Sequence, residues 1–169
     1  MKKILILVFI IVCGVMAFQG NILQRFSGKG IINLELANKD TGVAIIALWS
    51  DTLYGDQTLL NVAQKNTHLD FLFILIYVVL IMTLSNAQMQ REKTNWLNEL
   101  LRLNLLLAFL IGLLDIIENI RLLHSFHHPG NLAEFWRTDF IAWPKFVIAG
   151  WVILIYVFSV IKGYFNKRF

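Results

Sequence analysis

The chain has 169 residues, 57% of them hydrophobic and 15% charged, with a formal net charge of +4. A soluble domain carries about 25% charged residues, and here the charges stand between long apolar runs, so neither a soluble fold nor a second soluble domain fits. No Lys/Arg cluster interleaved with aromatics lies outside a membrane flank, which excludes a nucleic-acid partner, and the lone Cys13 excludes an intramolecular disulfide.

Met1-Lys2-Lys3 followed by Ile4–Phe18 fits a signal peptide or a first membrane helix. Ala17 lacks a small partner at cleavage-site spacing, which favours a retained span over residues 4–24. Gly14, Ala17, Asn21 and Gln24 then share one face. Residues 25–67 form a long outer loop with structure of its own. Gly30–Ala37 reads as extended, Asp40-Thr41 starts a helix over Val43–Leu53, and Asp56 caps a short helix over Gln57–Gln64. The Val43–Leu53 segment carries Trp49 and is expected to lie on the membrane interface or to pack on the bundle.

The second span is expected over residues 69–86. Thr67-His68-Leu69-Asp70 has the form of a capping box, which gives Asp70 a bland role beside any functional one. A charged loop, Gln88–Arg102, leads to the third span over residues 103–123. A second outer loop, 124–138, holds His124, His127 and His128, with a short helix expected over Leu132–Arg137. The fourth span covers residues 140–162, with Pro144 tolerated in its first turn.

Four spans place both termini on one side, together with Lys2, Lys3, Arg91, Lys93, Arg102, Lys162, Lys167 and Arg168. Only Glu92 and Glu99 oppose them, so the positive-inside rule makes the termini cytoplasmic. The expected fold is all-α: a four-helix transmembrane bundle with a long structured first extracytoplasmic loop.

Each span carries a stripe of small or polar residues. In the third it is Asn104, Ala108, Gly112, Asp115 and Asn119. In the fourth it is Ala142, Lys145, Ala149, Val152, Tyr156, Ser159 and Gly163. The second offers Asp70 and Tyr77. Lipid gives helices no hydrophobic reason to associate, so such stripes are expected to face one another. Carboxylates at membrane depth cost roughly 2.5–3.5 kcal/mol each on insertion scales. Lys145 is the expected partner of Asp115 or Glu118, while Glu118 also stands three residues before Arg121.

The outer half of the bundle is therefore expected to hold an outward-facing polar pocket. Its ligand-binding residues would be Asp70, Tyr77, Asp115, Glu118, Asn119 and Lys145, with Trp49 and Trp143 beside them. Any acid–base chemistry would fall to Asp115, Glu118 and Lys145. The histidines match no standard zinc spacing and are read as solvated, leaving His124, His127 and His128 as weak metal candidates. No HExxH, CxxC, phosphate loop or intramembrane serine–histidine pair is present, so no cofactor and no named reaction follow. The expected partner is membrane lipid, with a homo-oligomer or a membrane-protein partner compatible.

Three functions fit: binding of a lipid or amphipathic small molecule, a structural or assembly role for the seam, and proton- or cation-coupled transport. Transport needs a polar route to the cytoplasm, for which Asn104, Tyr156 and Ser159 are thin material.

The layout of four spans with a long first outer loop resembles claudin-type tetraspan proteins, though the loop has Trp49 and no cysteine pair. The segment Gly112-Leu113-Leu114-Asp115-Ile116-Ile117-Glu118-Asn119, with Leu69-Asp70-Phe71-Leu72-Phe73 and Tyr77, resembles small uncharacterised bacterial membrane proteins. That resemblance covers the last three spans. It implies a bacterial inner-membrane protein and brings no activity with it.

Overall fold

Residues 2–165 are described in the computed structural model; Lys167 and Arg168, counted above for orientation, lie outside the described residues. Helix α1 covers Lys2–Ser27, and two short helices follow, α2 over Ile31–Glu35 and α3 over Lys39–Asp51. A small antiparallel hairpin pairs β1 (Leu53–Tyr54) with β2 (Gln57–Thr58), Leu53 standing opposite Thr58. Three long helices complete the chain: α4 over Leu59–Met89, α5 over Asn95–Phe126 and α6 over Asp139–Phe165. Four of the helices, α1, α4, α5 and α6, are long and apolar enough to cross a bilayer. The protein is an all-α, multi-pass integral membrane protein.

Helices α4 and α5 outrun the membrane. At about 1.5 Å per residue, 31 and 32 residues reach roughly 46–48 Å, against a hydrocarbon core of about 30 Å. The surplus at one end is buried in a cap. There Leu59, Leu60, Val62 and Ala63 of α4 and Leu122 and Phe126 of α5 pack with Trp49, Ile45 and Ile46 of α3, Leu34 of α2 and Leu23 of α1. Phe135, from the connection before α6, closes this core.

Several local expectations are corrected. Residues 57–64 and the second span form one helix, because neither glycine nor proline interrupts residues 56–111. Its N-cap is Thr58, whose hydroxyl accepts from the Asn61 amide at 3.3 Å, and Asp56 lies outside it. Asp70 is consequently mid-helix and caps nothing. Gly30–Ala37 is mostly helical rather than extended. Helix α3 starts under Asn38, whose side chain accepts from the Thr41 amide at 2.9 Å. Residues 132–137 form a turn and extended chain instead of a helix. Pro144 lies beyond the first turn of α6, where its missing N–H leaves the Phe140 carbonyl without its usual helical partner.

In the bundle, α4 packs between α1 and α5, and α6 lies along α5. Asn66 ties α1 to α4, its amide donating to the Met16 carbonyl at 3.1 Å and to Gln19 Oε1 at 3.0 Å. Gly112 lets α5 approach α4 closely: a Cβ there would stand 2.7 Å from Val78 Cγ2. Asn104 is buried and donates to the Val152 carbonyl of α6 at 3.0 Å. The α1 and α6 helices share no packed seam. The ring of helices is open on that side.

Candidate functional site

Beneath the cap, the polar residues of four elements meet. Asp115, Glu118 and Asn119 lie on the inward face of α5, which interlocks with α4 through Gly112. Lys145 comes from the inward stripe of α6, where Ala142 and Val152 are also buried. Lys145 Nζ stands 2.7 Å from Asp115 Oδ1 and 2.8 Å from Glu118 Oε2, with its side chain only 7% exposed. Both carboxylates proposed as its partners from spacing are therefore engaged. The Glu118 contact is an ion pair outside hydrogen-bonding angles, and Glu118 Oε1 has no partner although the side chain is 1% exposed. Tyr77 of α4 donates to Asp115 Oδ2 at 2.7 Å, and Asn119 donates to Asp70 Oδ2 at 2.8 Å.

A further carboxylate was missed in the sequence. Glu35, from α2 in the cap, reaches down to stand 3.7 Å from Lys145 Nζ. Thr138, just before α6, secures it by donating its hydroxyl to the Glu35 carbonyl at 3.0 Å. Burial pushes the Glu35 carboxyl above its ordinary range; the Lys145 ammonium opposes this and the Asp115 charge adds to it. The available signal was a single acid in an otherwise apolar Ile-Ile-Asn-Leu-Glu-Leu-Ala run, with no depth attached to it.

Three carboxylates, those of Glu35, Asp115 and Glu118, thus stand around one ammonium, and Asp70 is bonded to Asn119 beside them. Arg121 does not join them. It faces the rim, donating from Nε to the Arg137 carbonyl at 2.8 Å and lying over the rings of Trp136 and Phe140. The expected Glu118–Arg121 pairing is replaced by Glu118–Lys145.

The cluster opens into a cleft of about 770 Å³ on the side where α1 and α6 do not meet. Its polar end is lined by Glu35, Asp70, Tyr77, Asp115 and Lys145. The remainder runs between α1 and α6 over α4, past Phe73, Leu80, Ile81 and Leu84. Ala17, Asn21 and Gln24 line the α1 wall, as their shared face suggested, with Gly20 beside them. A side chain at Gly20 would meet nothing within 4 Å.

Both tryptophans assigned to the pocket lie elsewhere. Trp49 is fully buried in the cap, its indole N–H donating to Ser27 Oγ at 2.8 Å. Trp143 is 60% exposed on α6 and lines no part of the cleft. Aromatic residues near a span end follow the interface statistically, but a cap can bury one such residue, and helical phase can turn another outward.

At the opposite end of the bundle stands a second polar knot. Gln88 of α4 donates to Ser159 Oγ of α6 at 3.0 Å, and Ser159 donates to Glu92 Oε2 at 3.2 Å. Glu92 also accepts from the Thr94 amide at 2.9 Å and stands 3.7 Å from Lys162 Nζ. Burial acts to raise the Glu92 carboxyl, yet the Thr94 hydrogen bonds and the Lys162 charge hold it below its ordinary range. Between the two knots the packing is mostly apolar, Ile111 with Val152 and then Leu101 with Ile155, and the buried Asn104 is bonded to the Val152 carbonyl among them.

The histidine loop holds the residues best placed for a metal. His124, His128 and Glu134 bring one ligand atom each to within 4.8 Å of one another. His127 is not part of this group; its Nδ1 lies 2.6 Å from the Leu123 carbonyl.

Comparison of the chain with models of protein families, with curated proteins and with solved structures gives no match. What the site does has to be argued from its own atoms.

Proposed function

We propose that this protein binds a lipid or an amphipathic small molecule in the cleft between α1 and α6. The observation that carries this reading is the continuity of a charged cluster with an apolar groove along the side of the bundle. Such a shape suits a ligand with a polar head and a hydrocarbon body. Sites of a few hundred cubic ångströms, mostly apolar with a few placed polar groups, are the common form of ligand pocket. Carboxylates outnumber ammonium at the polar end, so the head group best accommodated brings hydrogen-bond donors or positive charge.

Binding is better supported than catalysis. Both oxygens of Asp115 are engaged, by Lys145 and by Tyr77, and Glu118 faces Lys145. Acid–base processing of the ligand would require one of these pairs to part. The mostly apolar packing below the cluster, where Asn104 is held by the Val152 carbonyl, weighs against a proton- or cation-conducting route. The excess of basic residues beside Glu92 and Lys162 supports a cytoplasmic location for that end, with the cleft and cap facing outward. The resemblance of the last three spans supports a bacterial inner membrane.

The test is lipid and small-molecule mass spectrometry of protein purified in mild detergent. The expected result is an amphiphile retained in near-stoichiometric amount, displaced better by a long-chain amine than by an alkyl phosphate of equal length. Gly20→Phe and Ala149→Trp put bulk into the groove while keeping every charged residue, and should remove it. Retention of nothing specific, or undiminished retention in both variants, would overturn the reading.

A further inference from the structure

The α5–α6 connection contains a second constellation, outside the bundle and independent of the cleft. His124 lies in the last turn of α5 and His128 just beyond the helix end, with their ring centroids 5.2 Å apart. The chain then turns through Pro129-Gly130, with Gly130 at a φ of 76° that a side chain would resist. Asn131 accepts from the Ala133 amide at 3.0 Å and continues the turn. This returns Glu134 to the histidines: His124 Nε2 stands 3.3 Å from Glu134 Oε2. The Trp136 ring stacks on the His124 imidazole at a centroid distance of 3.8 Å and fixes its plane.

The orientation of His128 distinguishes this group from a plain ion pair. Its Nδ1 lies 3.3 Å from the His124 carbonyl. A carbonyl can only accept, so Nδ1 carries the hydrogen and Nε2 keeps its lone pair. That is the tautomer and backbone support found behind metal-bound imidazoles. His127 is likewise held by a carbonyl, that of Leu123, and its nitrogens are not among the ligand atoms that converge.

We propose that His124, His128 and Glu134 form a binding site for a divalent transition-metal ion of the zinc class. Two neutral imidazoles and one carboxylate supply three borderline-soft ligands and one negative charge. Three ligands leave a coordination position open to water. Metal–ligand bonds of about 2.0–2.2 Å require the donor atoms to draw together from separations of up to 4.8 Å. A bound ion would fasten the last turn of α5 to the chain that leads into α6. Glu35 is held by Thr138 at the end of that same chain.

The experiment uses the full-length protein in detergent, stripped with chelator and titrated with Zn2+ alone, with Co2+ as an absorbance probe. At about a hundredfold excess over Kd, Zn2+ should raise Tm by roughly 5–10 °C. His128→Ala and Glu134→Gln should each weaken binding at least tenfold and remove the Co2+ ligand-field bands. His127→Ala should change neither readout. The Co2+ spectrum reports coordination even in a variant of altered stability. No response to either metal would overturn the site, as would a response that survives both His128→Ala and Glu134→Gln.

Discussion

Lys145 is where the side-chain economy of the membrane interior is decided. One ammonium stands among Glu35, Asp115 and Glu118, and removing it would strand buried carboxylates; breaking such pairs generally costs about 3–5 kcal/mol. Helical spacing made most of this legible. Asp115 and Asn119 share a stripe on α5, Lys145 belongs to the stripe on α6, and a lone ammonium in apolar sequence demands an acid. Glu35 was illegible because its depth is set by the fold of the cap, which spacing along one helix does not encode. Two acids outside the spans make the pH dependence of stability testable. Glu35 is raised from its ordinary 4.5, so the folded state holds its proton more tightly. Its contribution is greatest below that value and is lost as pH rises through the folded one. Glu92 is lowered from 4.5; its contribution is full above that value and disappears as pH falls through the folded one. Thermal unfolding against pH should therefore show Glu35→Gln removing part of the decline above pH 4.5. The same scan should show Glu92→Gln flattening the acid limb. Identical profiles for both variants and the parent would contradict the assigned environments.

Among the elements, α4 shows most clearly where local pattern and structure part. Residues 64–68, Gln-Lys-Asn-Thr-His, have the polarity of a loop and the spacing of a helix start. Yet Asn66 is buried against α1, and His68 Nδ1 lies 2.7 Å from the Gln64 carbonyl, so the polarity is spent within one continuous helix. A capping box suggests a helix start without establishing one, because the residues before it can also be helical. Span count and helical phase survived these errors, since both follow from long apolar windows that no local ambiguity reaches. Packing between elements offers a sharp test at Gly42 of α3. A Cβ there would lie 2.1 Å from Phe135 Cζ, and Phe135 is buried in the cap core. Gly42→Ala should destabilise the protein by about 1–3 kcal/mol, as overpacking does. Combining it with Phe135→Leu should recover part of the loss, measured by thermal or denaturant unfolding. Additive losses would mean that the two residues do not share this space.

For the whole molecule, four crossings put the cap and the Glu92–Lys162 knot at opposite ends of the bundle. The cap was legible only as a long connection between spans. Its globular core depends on Trp49, Leu34 and Phe135 meeting the projecting ends of α1, α4 and α5, and those contacts are tertiary. The proposed orientation can be checked with single cysteines in a Cys13→Ser background. Asp56→Cys, exposed in the hairpin turn, should react with an impermeant maleimide added outside intact cells. Lys93→Cys, exposed at the other end, should react only after permeabilisation. The reverse pattern would invert the topology and place the cleft on the cytoplasmic leaflet.

The missing seam between α1 and α6 also sets what counts as concentration for this protein. A trough open along its flank faces a two-dimensional solvent, so an occupant of the proposed kind would exchange with neighbours in the same leaflet without passing through water. Occupancy would then follow the mole fraction of the occupant in the bilayer. Diluting it with inert lipid would empty the trough even when the total amount per volume of suspension is unchanged.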